Sequence, residues 1–125
     1  MILTNKFSFE SSHLLPHHPG KCRFLHGHSY KLRVSLWTKM DPKTGMGCDF
    51  DDLAKVVQEQ VLEQADHHNL NDFIDNPTAE NICLWIWDRL ADRVPGRLVE
   101  IELHETDDCS CIYRGPEAIT METPS

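Results

Sequence analysis

HSYKLRVSLW, residues 28 to 37, alternates apolar and polar side chains along its whole length. Tyr30, Leu32, Val34 and Leu36 fall on one side, and Ser29, Lys31, Arg33 and Ser35 on the other. A period of two predicts a β-strand with one buried and one wetted face. Upstream, Lys6-Phe7-Ser8-Phe9-Glu10 alternates in the same way, and a loop with Pro16, Pro19 and Gly20 separates the two segments. Downstream, Asp41-Pro42-Lys43-Thr44-Gly45 is turn chemistry that ends the strand pair.

From Asp49 the period changes. Phe50, Leu53, Val57 and Val61 recur at helical spacing behind Asp49, which is suited to an N-cap. A second helix is predicted from Asn76 as cap and Pro77 as first helical residue, with Ile82, Ile86 and Leu90 on one face. Leu84 and Trp87 lie elsewhere on that helix and predict cover on a second side. Alternation returns from Leu98 to Thr106, and Cys111-Ile112-Tyr113 reads as a last short strand. The order ββααββ gives an α+β domain, a four-stranded antiparallel sheet with two helices on one face. Such a sheet leaves edges open, so self-assembly through strand edges is expected.

At 125 residues the chain is one domain's worth, read as residues 1–118 with a short tail at 119–125. Its N-terminus, MILTNKFSFE, lacks a signal-peptide layout, and no apolar run approaches the roughly 20 residues that span a bilayer. A cytoplasmic protein is expected. A net charge of −8 argues against nucleic acid or an acidic membrane as partner. The five cysteines (Cys22, Cys48, Cys83, Cys109 and Cys111) form no CxxC pair and are expected to be free thiols.

Phase places the histidines. His28 is in step with Tyr30, Leu32 and Val34, and His26 lies two residues back on the same side. His13 is in step with Phe7, Phe9 and Ser11 if the first strand runs that far. Three imidazoles on the covered face cannot all be protonated, because like charges repel and burial penalises charge. A metal ion resolves the conflict, and three histidines without a fourth protein ligand suit an open, catalytic zinc site. A packed pair of histidines is the competing reading of HxH alone. His17 and His18, in the Pro-rich loop, are expected to be solvated, although spacing alone does not exclude them.

Cys22, four residues before His26, reads as a thiol that shuttles protons beside a cation, as a packed residue, or as a metal ligand. Asp66-His67 offers a carboxylate beside an imidazole, the composition of a general base or of an ordinary solvated loop. Glu105 continues the apolar phase of Val99, Ile101 and Leu103. A carboxylate on that phase needs strong donors, such as adjacent N–H groups of a ligand.

Five motifs occur together in order: Phe9-Glu10-Ser11-Ser12-His13; Cys22-x-x-x-His26-Gly27-His28; Asp66-His67-His68; Pro77-Thr78-x-Glu80-Asn81; and His104-Glu105-Thr106. The set resembles the 6-pyruvoyl-tetrahydropterin synthase family. Within it, the gap between Cys22 and His26 and the segment Cys111-Ile112-Tyr113-Arg114-Gly115 resemble the 6-carboxy-5,6,7,8-tetrahydropterin synthases of queuosine biosynthesis. The resemblance implies Zn2+ on His13, His26 and His28, Cys22 as proton-transferring thiol, and Asp66 with His67 as second acid–base group. It implies Glu105 as anchor of a pterin ring, with Thr78 and Glu80 near the same pocket. It also implies the T-fold, with trimers closing a β-barrel, two trimers stacking into a homohexamer, and active sites between subunits. The implied reaction converts 7,8-dihydroneopterin triphosphate to 6-carboxy-5,6,7,8-tetrahydropterin with loss of acetaldehyde and triphosphate. Pyruvoyl formation, or zinc and pterin binding without turnover, are the alternatives. One departure is Leu14, where the family often has arginine; Arg23 or Lys21 is the candidate replacement cation.

Overall fold

The computed structural model describes residues 1–116, and the tail expected at 119–125 lies outside them. The two alternating segments become long antiparallel strands, β1 (Ile2–His13) and β2 (His26–Trp37). Their register runs from Ile2 opposite Trp37 to His13 opposite His26. On β2 the predicted apolar phase holds, with Tyr30, Leu32, Val34 and Leu36 all at 0% exposure. Ser35, expected on the wetted face, is also buried, at the register shift between Ser35 and Leu36, with its hydroxyl 2.7 Å from that of Thr4.

The remaining elements are α1 (Phe50–Val57), β3 (His68–Asn69), α2 (Ala79–Leu90), β4 (Arg97–His104) and β5 (Ser110–Tyr113). Among the described residues the sheet has five strands in the order β3-β1-β2-β4-β5, which corrects the expected four. It is also not wholly antiparallel, because β3 runs parallel to β1, Ser11 opposite His68 and Ser12 opposite Asn69. Two residues are too few to show alternation, so β3 has no sequence signature. The open sheet is α+β, with both helices on one face.

α1 starts where expected, with Asp49 accepting the Asp51 N–H at 2.8 Å. The helix continues through a π-helical turn (Gln58–Leu62) into a last turn at Glu63–Ala65. Arg89 of α2 donates its Nε–H to the Gln60 carbonyl within the widened turn, at 2.8 Å. Leu53, Val57 and Val61 are buried, whereas Phe50 at the helix start is exposed.

α2 begins later than predicted. Thr78, not Asn76, is the cap, accepting the Asn81 N–H at 3.1 Å. The Thr78 N–H first bonds the Asn76 carbonyl, so the chain makes one more tight turn, and Pro77 stays outside the helix. Ile82, Ile86 and Leu90 pack inward and Leu84 is exposed, while Trp87 packs on Tyr113 and Trp85 on Phe73, so the helix is covered beyond its inner face. The core joins these helix residues to Phe9, Tyr30, Leu32, Ile101 and Leu103 of the sheet. Each fully buried aliphatic or aromatic side chain there contributes about 1.5–3 kcal/mol. Among the described residues no helix is long and apolar enough to cross a membrane.

Candidate active site

The β1/β2 register brings the histidines together. His13 ends β1 directly opposite His26, which starts β2, and His28 follows on the same face. Their ring centroids are 4.6 to 5.0 Å apart, and one ligand atom from each lies within 4.8 Å of the others and of a Glu105 oxygen.

Backbone carbonyls decide which nitrogens face inward. His13 Nδ1 lies 2.8 Å from the Pro77 carbonyl, and His26 Nδ1 lies 2.8 Å from the Phe24 carbonyl. A carbonyl only accepts, so both Nδ1 atoms carry hydrogen and donate. The Nε2 atoms of His13 and His26 then face each other at 3.1 Å, each with a lone pair when neutral. Two lone pairs at that distance repel unless a cation or proton lies between them. Burial lowers the pKa of His13 below the ordinary imidazole value, with the Pro77 hydrogen bond working against that shift. A proton is therefore disfavoured at His13. Burial also lowers that of His28, with Glu105 opposing. His28 Nε2 is buried without a hydrogen bond, although Glu105 Oε1 lies 3.0 Å away. The donor set and this orphaned atom fit a divalent ion that accepts imidazole nitrogen.

Tyr30 stands behind His13, its hydroxyl 3.3 Å from His13 Nδ1 and its ring stacked on Phe9. Burial first, and the Glu105 carboxylate second, push its pKa up, so the phenol stays protonated. Asn71 clamps the residue after His13. Its Oδ1 accepts the Leu14 N–H at 2.8 Å and its Nδ2–H donates to the Leu14 carbonyl at 3.0 Å.

Asp66 and His67 do make contact. Asp66 Oδ1 lies 3.0 Å from His67 Nδ1 and accepts the Glu10 N–H at 2.8 Å. That backbone hydrogen bond, with help from His67, holds the Asp66 carboxyl below its ordinary pKa. His67 adopts a left-handed conformation, φ 59°, and its N–H donates to the Glu10 carbonyl at 2.6 Å. A left-handed non-glycine residue costs about 1 kcal/mol and persists only where its surroundings hold it. Glu10 supplies that hold with both its N–H and its carbonyl. The His67 ring is 78% exposed, and it lines with His28, Glu10, Ser29 and Asn69 an open cleft of about 430 Å³.

Cys22 sits half-buried in a short 3-10 turn (Lys21–Arg23), its carbonyl accepting the Leu15 N–H at 2.7 Å. The neighbouring Arg23 guanidinium lies over the Phe24 ring. Thr78 caps α2, next to the Pro77 carbonyl that orients His13, and Glu80 is exposed on that helix's first turn. His17 and His18 lie exposed in the loop, as their Pro-rich context predicts. All five cysteines are free thiols.

Asn71 closes the stretch Asp66-His67-His68-Asn69-Leu70-Asn71, which sequence reasoning singles out without giving Asn71 a role, and the two orienting carbonyls were missed. Any residue has a carbonyl, so Pro77 and Phe24 carry no signal of type. Tyr30 was legible as an in-phase neighbour of His28.

The profile of the family described as 6-pyruvoyl tetrahydropterin synthase matches residues 2–116. The chain belongs to the 6-pyruvoyl tetrahydropterin synthase family. The chain is 40% identical to the 6-carboxy-5,6,7,8-tetrahydropterin synthase of Synechocystis, over 92% of this chain and 94% of that one. To the human 6-pyruvoyl tetrahydrobiopterin synthase it is 37% identical, over 77% and 72%. Among solved structures of 6-pyruvoyl tetrahydropterin synthases, that from Caenorhabditis elegans superimposes with a TM-score of 0.84 at 27% identity. It covers 92% of this chain and 95% of that one.

Proposed function

We propose that this family member converts 7,8-dihydroneopterin triphosphate and water to 6-carboxy-5,6,7,8-tetrahydropterin, acetaldehyde and triphosphate, a step of queuosine biosynthesis. The observation that carries the reading is the convergence of three imidazoles, two of them with their inward nitrogens fixed as electron-pair donors by backbone carbonyls. The similarity to the Synechocystis enzyme supports the choice of reaction.

His13, His26 and His28 would hold zinc, which when bound supplies Lewis-acid polarisation of side-chain oxygens. Glu105 anchors the pterin through its N–H edge, and Thr78 and Glu80 border that pocket. The Cys22 thiol and the Asp66–His67 pair carry the proton transfers between the side chain and the ring. Asp66 stays ionised and orients His67 through its Nδ1–H, which leaves Nε2 of His67 to take up a proton. Loss of triphosphate and cleavage of the side chain follow. The exposure of His67 and the two open sheet edges, β3 and β5, support assembly into stacked trimers with sites between subunits.

The second reading is 6-pyruvoyl-tetrahydropterin formation, in which the side chain stays whole. It is favoured by the similarity to enzymes of that name, 41% over 77% of the chain for the guppy protein. Incubation of zinc-loaded protein with dihydroneopterin triphosphate, followed by mass spectrometry, separates the readings. Acetaldehyde with the carboxy-pterin is the expected result. Pyruvoyl product without acetaldehyde would transfer the chain to the other activity, and intact substrate would leave only binding.

A further inference from the structure

The sheet face turned away from the helices carries a group of three adjacent cations. Lys6 of β1 lies directly opposite Arg33 of β2, and Lys31, which pairs with Ser8, is the diagonal neighbour of Lys6. All three are exposed. Like charges directly opposite in a sheet destabilise it. Composition does not force this arrangement, since the chain has 12 basic against 20 acidic residues. Arg33 shares the Glu102 carboxylate, at 3.7 Å, with His104, at 3.0 Å. Among the described residues neither lysine has a salt bridge. Glu10, farther along the same face, accepts from the Ser29 hydroxyl at 2.6 Å. Lys6, Lys31, Arg33 and His104 line an open cleft of about 310 Å³, and the acidic group on its rim is Asp107.

We propose that this cleft is an anion subsite, distinct from the histidine cluster, that takes a phosphate-class oxyanion and prefers the polyanionic triphosphate chain. The three imidazoles are on the opposite face, because Lys31 and Arg33 alternate along β2 with His28, Tyr30 and Leu32. The cleft that His67 lines lies farther along the lysine face, beside Glu10 and Ser29. The two ammonium groups and the guanidinium form the charged wall. A polyanion lying across the register positions 6, 31 and 33 offsets the repulsion that the bare sheet retains. The subsite rests on charge and register and does not depend on the catalytic reading; the triphosphate that reaction would release is one source of its ligand, and free inorganic phosphate another.

Calorimetric titration of the zinc-loaded protein at low ionic strength with orthophosphate, pyrophosphate and inorganic triphosphate tests it. Triphosphate is expected to bind with a Kd below about 1 mM and more tightly than orthophosphate. Tighter or equal binding of orthophosphate overturns the preference for a polyanion. The Lys6→Gln/Lys31→Gln variant should bind triphosphate about tenfold more weakly. His67→Ala and His26→Ala should bind it as the parent does. Absence of binding, or equal affinity in the lysine variant, overturns the proposal, as does loss of binding in either histidine variant, which would place the anion in the other cleft. Without anion, Lys6→Gln should raise Tm, and a Tm that does not rise removes the repulsion on which the site rests.

Discussion

The facing Nε2 atoms of His13 and His26 make a quantitative prediction for His26→Ala. In metal-free protein, His26 gives one hydrogen bond to the Phe24 carbonyl and faces His13 across 3.1 Å. Its removal costs about 1 kcal/mol for the hydrogen bond, and relief of the facing lone pairs offsets part of that cost. Zinc changes the balance. An ion that binds only the folded chain stabilises it by about 4 kcal/mol at a free concentration a thousand times its Kd. For a domain of this size that raises Tm by roughly 10–20 °C. Removal of one of three ligands should abolish most of that increment. The assay is thermal unfolding of chelator-treated parent and variant, each with and without added zinc. The expected signature is a large zinc increment in the parent and a small one in His26→Ala, from similar metal-free midpoints. Equal increments in the two proteins would refute the shared-ion reading of these nitrogens.

Cys22→Ala should retain zinc and fold with little change in Tm, while kcat falls about 10²–10⁴-fold; an unchanged kcat would remove the thiol from proton transfer. Asp66 has a depressed pKa, so its hydrogen bond with Glu10 contributes stability that is complete above the ordinary carboxyl value of 3.8 and is lost as pH falls through the lower folded value. The stability difference between the parent and Asp66→Asn should therefore be constant above about pH 5 and shrink below pH 4. Chemical denaturation across that range measures it. Asn71→Leu leaves the half-buried Leu14 N–H and carbonyl unpaired and should cost about 1–3 kcal/mol of unfolding free energy, read from urea midpoints.

Much of this fold was legible because side-chain period reports burial directly. The β2 alternation predicted which residues pack, and the same phase carried His28 and Glu105 toward one point. β3 was not legible, since two residues show no period and their pairing depends on where the chain leaves α1. The α2 cap was misplaced because Asn76-Pro77 and Pro77-Thr78 both suit a helix start, and the extra turn that selects Thr78 is a backbone hydrogen bond. The π-helical turn is a local widening that leaves the apolar spacing nearly intact. At the site, the residue types that bind and move protons were visible, but the groups that aim them were backbone carbonyls, which every residue shares. The contact between the adjacent Asp66 and His67 depends on a left-handed φ, which a histidine does not announce.

The most direct test of the central claim is zinc-edge X-ray absorption of the metal-loaded chain. One ion per chain should show three imidazole nitrogens at about 2.0–2.1 Å with only light-atom scatterers beyond them in the first shell. A sulfur shell at about 2.3 Å would make Cys22 a ligand rather than a proton carrier, and fewer than three imidazoles would contradict the shared centre of His13, His26 and His28.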